Sequence, residues 1–323
     1  MGLKYAEVPL RGTDVSQFNG VVDWSLMKAH FVGIRVGYGD TKDTKFPQNW
    51  AGAKKYGINR MPYWYLDYYS NWYNKKSPFL GMDDVAWGRH QAEKCWSFIK
   101  DDANCSIVFL DIENGQPSYS PPLTNPDAQE HAETTARAFL ERMDELNGKF
   151  NGIYASVGWL QWFYPWFRNR PLWVAWYNDT KTPAQVTSLC TTYKWTGQIL
   201  IWQYASDGDL DDNGTSDGML MGSQIKTLDL NYFLATQVVY SALFNANVVV
   251  VDPPPVVVPP STFDTYKVTA TSLNMRQTPD TTKPPYGALF TNTKVKLLQR
   301  EEKWSKVVFP QEFWVSNEWI KKE

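Results

Sequence analysis

Val108-Phe109-Leu110-Asp111-Ile112-Glu113-Asn114 is a short apolar run that ends in two carboxylates placed two residues apart. Preceded by Ser106-Ile107 and rich in large and β-branched residues, it reads as a buried strand. Side chains alternate across a strand, so Asp111 and Glu113 point to one face while Leu110 and Ile112 point to the other. Carboxylates are rarely buried without a reason. Two of them on one face raise each other's pKa by like-charge repulsion, which suits one to hold a proton near neutral pH. A strand end whose acids simply meet water or a nearby arginine has the same pattern, so the rest of the chain decides.

Outward from this strand, residues 1–245 alternate strand-like and helix-like segments. Strands are expected at 12–18, 31–39, 59–68, 106–114, 151–157, 172–177, 198–205 and 227–233, with helices at 24–30, 49–56, 84–100 and 127–147. The last helix has the fullest signals: Asn125 as N-cap, Pro126 at the first helical position and Gly148 just past its end. Eight strands with crossover helices in the first half predict an α/β fold, a parallel TIM-like (β/α) barrel. Helical signal thins after residue 170, so the last strands are expected to be joined by loops and the barrel to be irregular.

Composition changes abruptly at residues 246–263, where Val248-Val249-Val250-Val251-Asp252-Pro253-Pro254-Pro255 leads into a second Val/Pro run. Repeated proline favours an extended spacer; the valines leave an edge strand as the alternative. Residues 264–323 read as short strands broken by Pro279-Asp280, Pro284-Pro285 and Pro310, the pattern of a small all-β barrel.

The chain has 323 residues, 43% hydrophobic and 20% charged, an ordinary globular composition. A formal net charge of -2 argues against nucleic acid as the main partner. Cys95, Cys105 and Cys190 are odd in number and lack C-x-x-C spacing, so reduced, buried thiols are expected rather than disulfides or zinc. The first residues lack an apolar signal core, Ala6 stands where a myristoylation signal wants Ser or Thr, and no run is long enough to span a bilayer. Neither ordinary secretion nor membrane insertion is expected. The abnormal feature is aromatic: 16 Trp, 18 Tyr and 16 Phe, many clustered at 63–65, 68–73, 159–166 and 173–177. Flat rings with polar tips stack on sugar faces as well as filling cores.

His30, His90 and His131 form no H-E-x-x-H pair, and there is no nucleophile elbow, P-loop or dinucleotide fingerprint. The carboxylates are what remain. Asp14 falls on the first strand, Asp111 and Glu113 end the fourth, and Asp229 lies on the last, which closes the barrel beside the first. Barrel active sites gather at strand ends, and a glycosidase needs one carboxyl to protonate the leaving oxygen and another to stabilise the developing charge.

Taken in order, Asp14-Val15-Ser16 with Asn19-Gly20 and Trp24, Ile34-Arg35-Val36-Gly37-Tyr38-Gly39, Leu110-Asp111-Ile112-Glu113, Trp173-Val174-Ala175-Trp176-Tyr177, Ile201-Trp202-Gln203-Tyr204 and Asp229-Leu230-Asn231 resemble glycoside hydrolase family 25. These muramidases, often called Chalaropsis-type lysozymes, are common among phage endolysins and bacterial autolysins. The resemblance spans roughly residues 10–235 and implies hydrolysis of the β-1,4 bond from N-acetylmuramic acid to N-acetylglucosamine in peptidoglycan. It implies Glu113 as general acid and Asp111 as the group that orients the N-acetyl substituent, with Asp14 and Asp229 completing an acidic floor. Tyr63, Tyr65, Tyr154, Trp173, Tyr177, Trp202 and Tyr204 are its expected groove residues. Many relatives carry Tyr-His-Phe where this chain has Tyr63-Trp64-Tyr65, and residues 66–83 look like an inserted aromatic loop.

The C-terminal part resembles bacterial Src-homology-3-like modules that bind cell walls, through Leu273-Asn274-Met275-Arg276-Gln277-Thr278-Pro279, Trp304-Ser305-Lys306-Val307 and Trp319-Ile320. A tethered wall-binding module raises local substrate concentration. No cofactor is expected. Asp209, Asp211, Asn213 and Gly214 match the first half of an EF-hand loop, with Asp217 at its ninth place. Leu220 stands where the bidentate Glu belongs, so a solvated acidic turn is expected, with a calcium site as the alternative. Two rival functions remain: a family 18 chitinase-like barrel, whose longer pattern meets Phe109 and Ser106 where it needs aspartates, and a non-catalytic wall-binding or virion protein. The expected life history is synthesis in the cytoplasm and action on the wall after phage-mediated release, with virion lysin and autolysin as alternatives.

Overall fold

The computed structural model describes residues 2–68, 81–102, 106–113, 126–244 and most of 265–322. The expected linker, most of the aromatic segment 66–83, Cys105, Asn125, Gln277-Thr278 and Trp319 lie outside the described residues. The chain forms two compact units, Met1–Ala246 and Asn247–Glu323.

In the first unit, β1 (Arg11–Val15), β2 (Phe31–Tyr38), β4 (Asn59–Tyr65), β5 (Phe109–Ile112), β6 (Gly152–Ser156), β7 (Leu172–Ala175), β8 (Ile199–Ala205) and β9 (Asp229–Phe233) close into an eight-strand barrel, because β1 pairs with both β2 and β9. The two-residue β3 (Thr41–Lys42) adds antiparallel to the end of β2. The eight strands coincide with the eight expected from sequence, with one difference of direction. β9 runs antiparallel to both its neighbours, whereas an all-parallel barrel was expected.

The inward-facing residues explain that reversal. Along β5 they run Phe109, Asp111, then Glu113 just past its end; along β4, Met61, Tyr63, Tyr65; along β8, Ile201, then Gln203. Each strand is apolar at its start and polar at its end, so the barrel is greasy at one end and acidic at the other. β9 carries the same gradient backwards, Asp229, Asn231, Phe233. Only an antiparallel run puts Phe233 against Phe31, ring centroids 6.0 Å apart, and Asp229 opposite Asp14.

The outward residues of the strands, among them Val32, Ile34, Trp64, Leu110 and Ile153, form the main core under the helices. Helices α1 (Phe46–Lys55), α2 (Asp84–Ile99) and α3 (Pro126–Asn147) lie close to the expected segments, and Gly148 at φ 66° ends α3. Two helix expectations fail. Residues 24–30 form only a turn, because the Asp23 carboxylate takes the amide and hydroxyl of Ser25 and closes the chain locally. Conversely, α4 (Pro183–Thr192) stands between β7 and β8 where a loop was expected. Its start is written in Thr182-Pro183-Ala184-Gln185, a capping box in which the Thr182 hydroxyl accepts the Gln185 amide at 3.3 Å. Val186 and Cys190 alone are buried on it, too sparse a stripe for periodicity to register.

Packing of α2 on α3 depends on Gly88. A Cβ there would stand 2.2 Å from the Thr135 carbonyl oxygen, a backbone atom that cannot swing aside. Gly88→Ala should therefore destabilise the first unit by about 1–3 kcal/mol, despite alanine's better helix propensity. Chemical denaturation checks this, and a stabilised variant would refute the close approach.

The second unit holds a five-stranded sheet, β10 (Thr265–Val268), β13 (Lys294–Arg300), β14 (Trp304–Phe309), β15 (Gln311–Ser316) and β16 (Ile320–Lys322), in the order β15-β14-β13-β10-β16. A two-stranded ribbon, β11 (Ser272–Met275) with β12 (Gly287–Phe290), accompanies it. Tyr266, Val268, Leu273, Leu289, Val295, Val307, Val315 and Ile320 make its small core. Cys95 and Cys190 are buried, and among the described residues no helix is long and apolar enough to cross a membrane.

Candidate active site

The polar ends of the strands open into a cleft of about 270 Å³ lined by Asp14, Asp111, Glu113 and Asp229 together with Tyr63, Tyr65, Tyr154, Trp173 and Tyr177. All four expected acids and five of the seven expected aromatic residues thus meet in one place. Trp202 and Tyr204 do not. Both are buried on the outer face of β8, where Trp202 Nε1 donates to the Trp176 carbonyl at 2.8 Å and Tyr204 packs against Trp202. Strand alternation sends residue 203 inward instead, and Gln203 lines the cleft.

Sequence reasoning missed Gln203, Asn231, Arg35, Ser16 and Phe18. A signal existed for the first two: each is an amide flanked on its strand by large apolar or aromatic residues, and a buried polar side chain must find partners. Gln203 Nε2 and Asn231 Nδ2 both donate to Asp14 Oδ2 at 2.8 Å. Asn231 Oδ1 in turn accepts Trp173 Nε1 at 2.8 Å, so the indole that floors the cleft also sets the amide. Gln203 Oε1 accepts the hydroxyls of Tyr154 at 2.8 Å and Tyr177 at 3.1 Å.

Arg35 is positioned by Asp43, whose Oδ2 accepts its Nε at 2.8 Å and the Gln17 amide at 3.0 Å. The Phe18 ring, on a short turn capped by Ser16, lies over the guanidinium at 4.8 Å. Arg35 is therefore a fixed positive charge at the rim of an acidic cleft.

Four carboxyls in so small a space cannot all ionise. Burial pushes Asp14 up to about 6 against the hydrogen bonds from Asn231 and Gln203. Asp111 rises well above the carboxylate range through burial, then through the charges of Glu113 and Asp14. Burial also raises Glu113, opposed by a hydrogen bond from Tyr154, and raises Asp229 with help from Asp14 and Glu113. The set therefore retains protons close to neutral pH, the condition for one member to act as an acid. Asp111 Oδ1 is buried without a partner among the described residues, on a side chain that lines the cleft.

These shifts carry a stability cost of known sign. An acid whose folded pKa is raised binds its proton more tightly when folded, so stability is lost as pH climbs from the unfolded value near 4 through about 6. Asp14→Asn should raise the melting temperature at pH 7, by an increment on the order of 2 kcal/mol, and the advantage should vanish near pH 4. An equal effect at both pH values would contradict the assignment.

In the β8–β9 connection, the carboxylate oxygens of Asp209, Asp211 and Asp217 lie within 4.8 Å of one another. The Asp209 carboxylate already accepts the amides of Asp211, Asn213 and Gly214, which hold its pKa below the usual range, while the Asn213 side chain accepts the Thr215 amide. Leu220, at the twelfth place, offers no ligand and is exposed.

The family model described as "Glycosyl hydrolases family 25" matches residues 13–213. Among solved structures, the bacterial lysozyme from Streptomyces coelicolor is similar at a TM-score of 0.53 and 21% identity, covering 74% of this chain and 98% of that one. A family 25 glycosyl hydrolase from Bacillus anthracis follows at 0.52 and 18%, covering 75% and 97%. A muramidase from Acremonium alcalophilum stands at 0.51 and 21%, covering 73% and 99%. At these identities the likeness is one of fold. Among curated proteins, none matches this chain in sequence.

Proposed function

Because the chain belongs to glycosyl hydrolase family 25 and is a glycoside hydrolase, we propose that it cleaves the β-1,4 bond between N-acetylmuramic acid and N-acetylglucosamine in peptidoglycan. The observation that carries this reading is the pairing of Glu113, raised by burial and lining the cleft, with Asp111, whose Oδ1 lacks a partner among the described residues. Glu113 donates its proton to the glycosidic oxygen as the bond breaks. Asp111 accepts the N–H of the acetamido group and aims its carbonyl at the sugar carbon that becomes electron-deficient. The neighbouring carboxyls stabilise that positive charge. Tyr63, Tyr65 and Tyr177 offer ring faces and hydroxyls to the sugars.

The second unit serves as the wall-binding module, and the enzyme acts as an endolysin, made inside the cell and delivered to the wall by phage-mediated release. Reducing-end analysis of purified peptidoglycan tests the bond assignment. Muramic acid at the new reducing ends is expected; N-acetylglucosamine there, or equal action on chitin oligomers, overturns it.

A further inference from the structure

A guanidinium commonly meets a carboxylate through two parallel hydrogen bonds. Arg35 meets Asp43 differently. Its Nε donates to Asp43 Oδ2 at 2.8 Å, but that oxygen also accepts the Gln17 amide at 3.0 Å, and Oδ1 accepts the Lys45 amide at 2.8 Å. The carboxylate is occupied by other donors, and Arg35 Nη2 is buried with no partner among the described residues. The whole residue is only 8% exposed, so bulk water reaches it poorly. Leaving a charged donor without an acceptor is costly. On a side chain that lines the cleft, such a donor is ready for an oxygen of the ligand.

The chemistry of the substrate says which oxygen. Arg35 is the one cation among the described residues that line this cleft of four carboxyls. Hydroxyl and acetamido groups are common to both sugars of peptidoglycan. Muramic acid alone adds a lactyl ether on O3, whose carboxyl is an anion when free and a carbonyl acceptor when it carries a peptide. The planar donors of a guanidinium suit either form. Position agrees. The glycosidic oxygen, the acetamido group and the lactyl ether sit on successive carbons of one ring. Glu113 and Asp111 come from β5, and Arg35 comes from β2, two strands round the barrel with β4 between them. Two strand spacings are about 10 Å, the reach of a sugar ring with a three-carbon substituent.

We propose that Arg35 is a specificity-determining residue, recognising the lactyl carboxyl of N-acetylmuramic acid through Nη2. The proposal rests on the muramidase reading and names what selects the sugar. Asp43 fixes the guanidinium, and the Phe18 ring covers it at 4.8 Å, which keeps competing water away.

The test uses a disaccharide of N-acetylglucosamine β-1,4-linked to N-acetylmuramic acid at the reducing end. It lacks the bond proposed for cleavage, so its binding can be titrated by calorimetry on active enzyme. Two forms are compared: the lactyl carboxamide, and a 3-O-isopropyl ether in which a methyl replaces the carboxyl. Both are neutral, so the charges of the cleft acids weigh on them alike. Wild type should bind the lactyl form about tenfold tighter, the size of one hydrogen bond to a charged group. Arg35→Lys keeps the positive charge beside Asp43, Asp111 and Glu113 but lacks the second arm of the fork, and the preference should fall to about threefold or less.

Should the lysine variant fail to fold, Phe18→Ala decides. That ring is 70% exposed, so its loss spares the core while opening the guanidinium to water. The preference should then drop about threefold, the worth of one exposed cation–π contact; any stacking of Phe18 on the sugars is lost from both ligands equally. A wild type that does not distinguish the two forms, or a preference undiminished in the folded variant, overturns the role. A wild type that prefers the lactyl form yet releases no muramic acid reducing ends from walls would instead defeat the muramidase reading.

Discussion

Glu113→Gln should lose wall-lytic activity by about 10³-fold while keeping its fold. The amide preserves the shape of the carboxyl and can still meet the Tyr154 hydroxyl, but it has no proton to give to a leaving oxygen. Because burial raises the Glu113 pKa, removing the charge relieves the folded state, so the melting temperature at pH 7 should hold or rise. The two readouts must separate: turbidity of purified walls stays constant while the near-ultraviolet circular dichroism matches wild type. Residual activity within tenfold of wild type would move the acid role elsewhere, with Asp229 the next carboxyl to replace.

Trp173→Ala should be among the most destabilising single changes in the first unit, by about 3–5 kcal/mol. A domain is commonly stable by only about 5–15 kcal/mol, so this is a large part of the whole. The indole is 1% exposed and makes edge-to-face contacts with Tyr154 at 4.9 Å, Phe109 at 5.8 Å and Tyr63 at 5.9 Å. It fills the barrel where the apolar layer meets the acidic one. Its loss also releases Asn231 Oδ1, and with it the amide that holds Asp14. Activity at low temperature, where the variant still folds, should therefore fall as well. Trp173→Phe should recover part of the packing but none of the hydrogen bond, which separates the two contributions. A urea midpoint within 1 kcal/mol of wild type (about the size of a modest core change) would show that the barrel interior closes over the gap.

Gln203→Met should remove the other donor to Asp14 Oδ2. Trp173 and Gln203 reach Asp14 through different donors, so the two substitutions should not add.

Much of this was legible in the chain because strands have a period of two. Asp111 and Glu113 share a face for that reason alone, and barrel closure puts the last strand beside the first, where Asp14 now pairs with Asp229. The strand positions and the helices expected at 49–56, 84–100 and 127–147 follow from apolar periodicity, with end signals for the last of them. Periodicity fixes which residues alternate but not which set faces inward. For β8, rich in large apolar residues, that parity was decided only by packing: Trp202 and Tyr204 went outward under the helices and Gln203 inward. The direction of β9 was likewise a tertiary decision, since a strand pairs well either way and only the apolar-to-acidic gradient of the finished barrel favours Phe233 at one end and Asp229 at the other. The order of residues along the chain is enough to specify the acids and the strands that carry them. Folding decided the hydrogen bonds that tell those acids apart, because each bond joins residues from different strands and exists only once the barrel has closed.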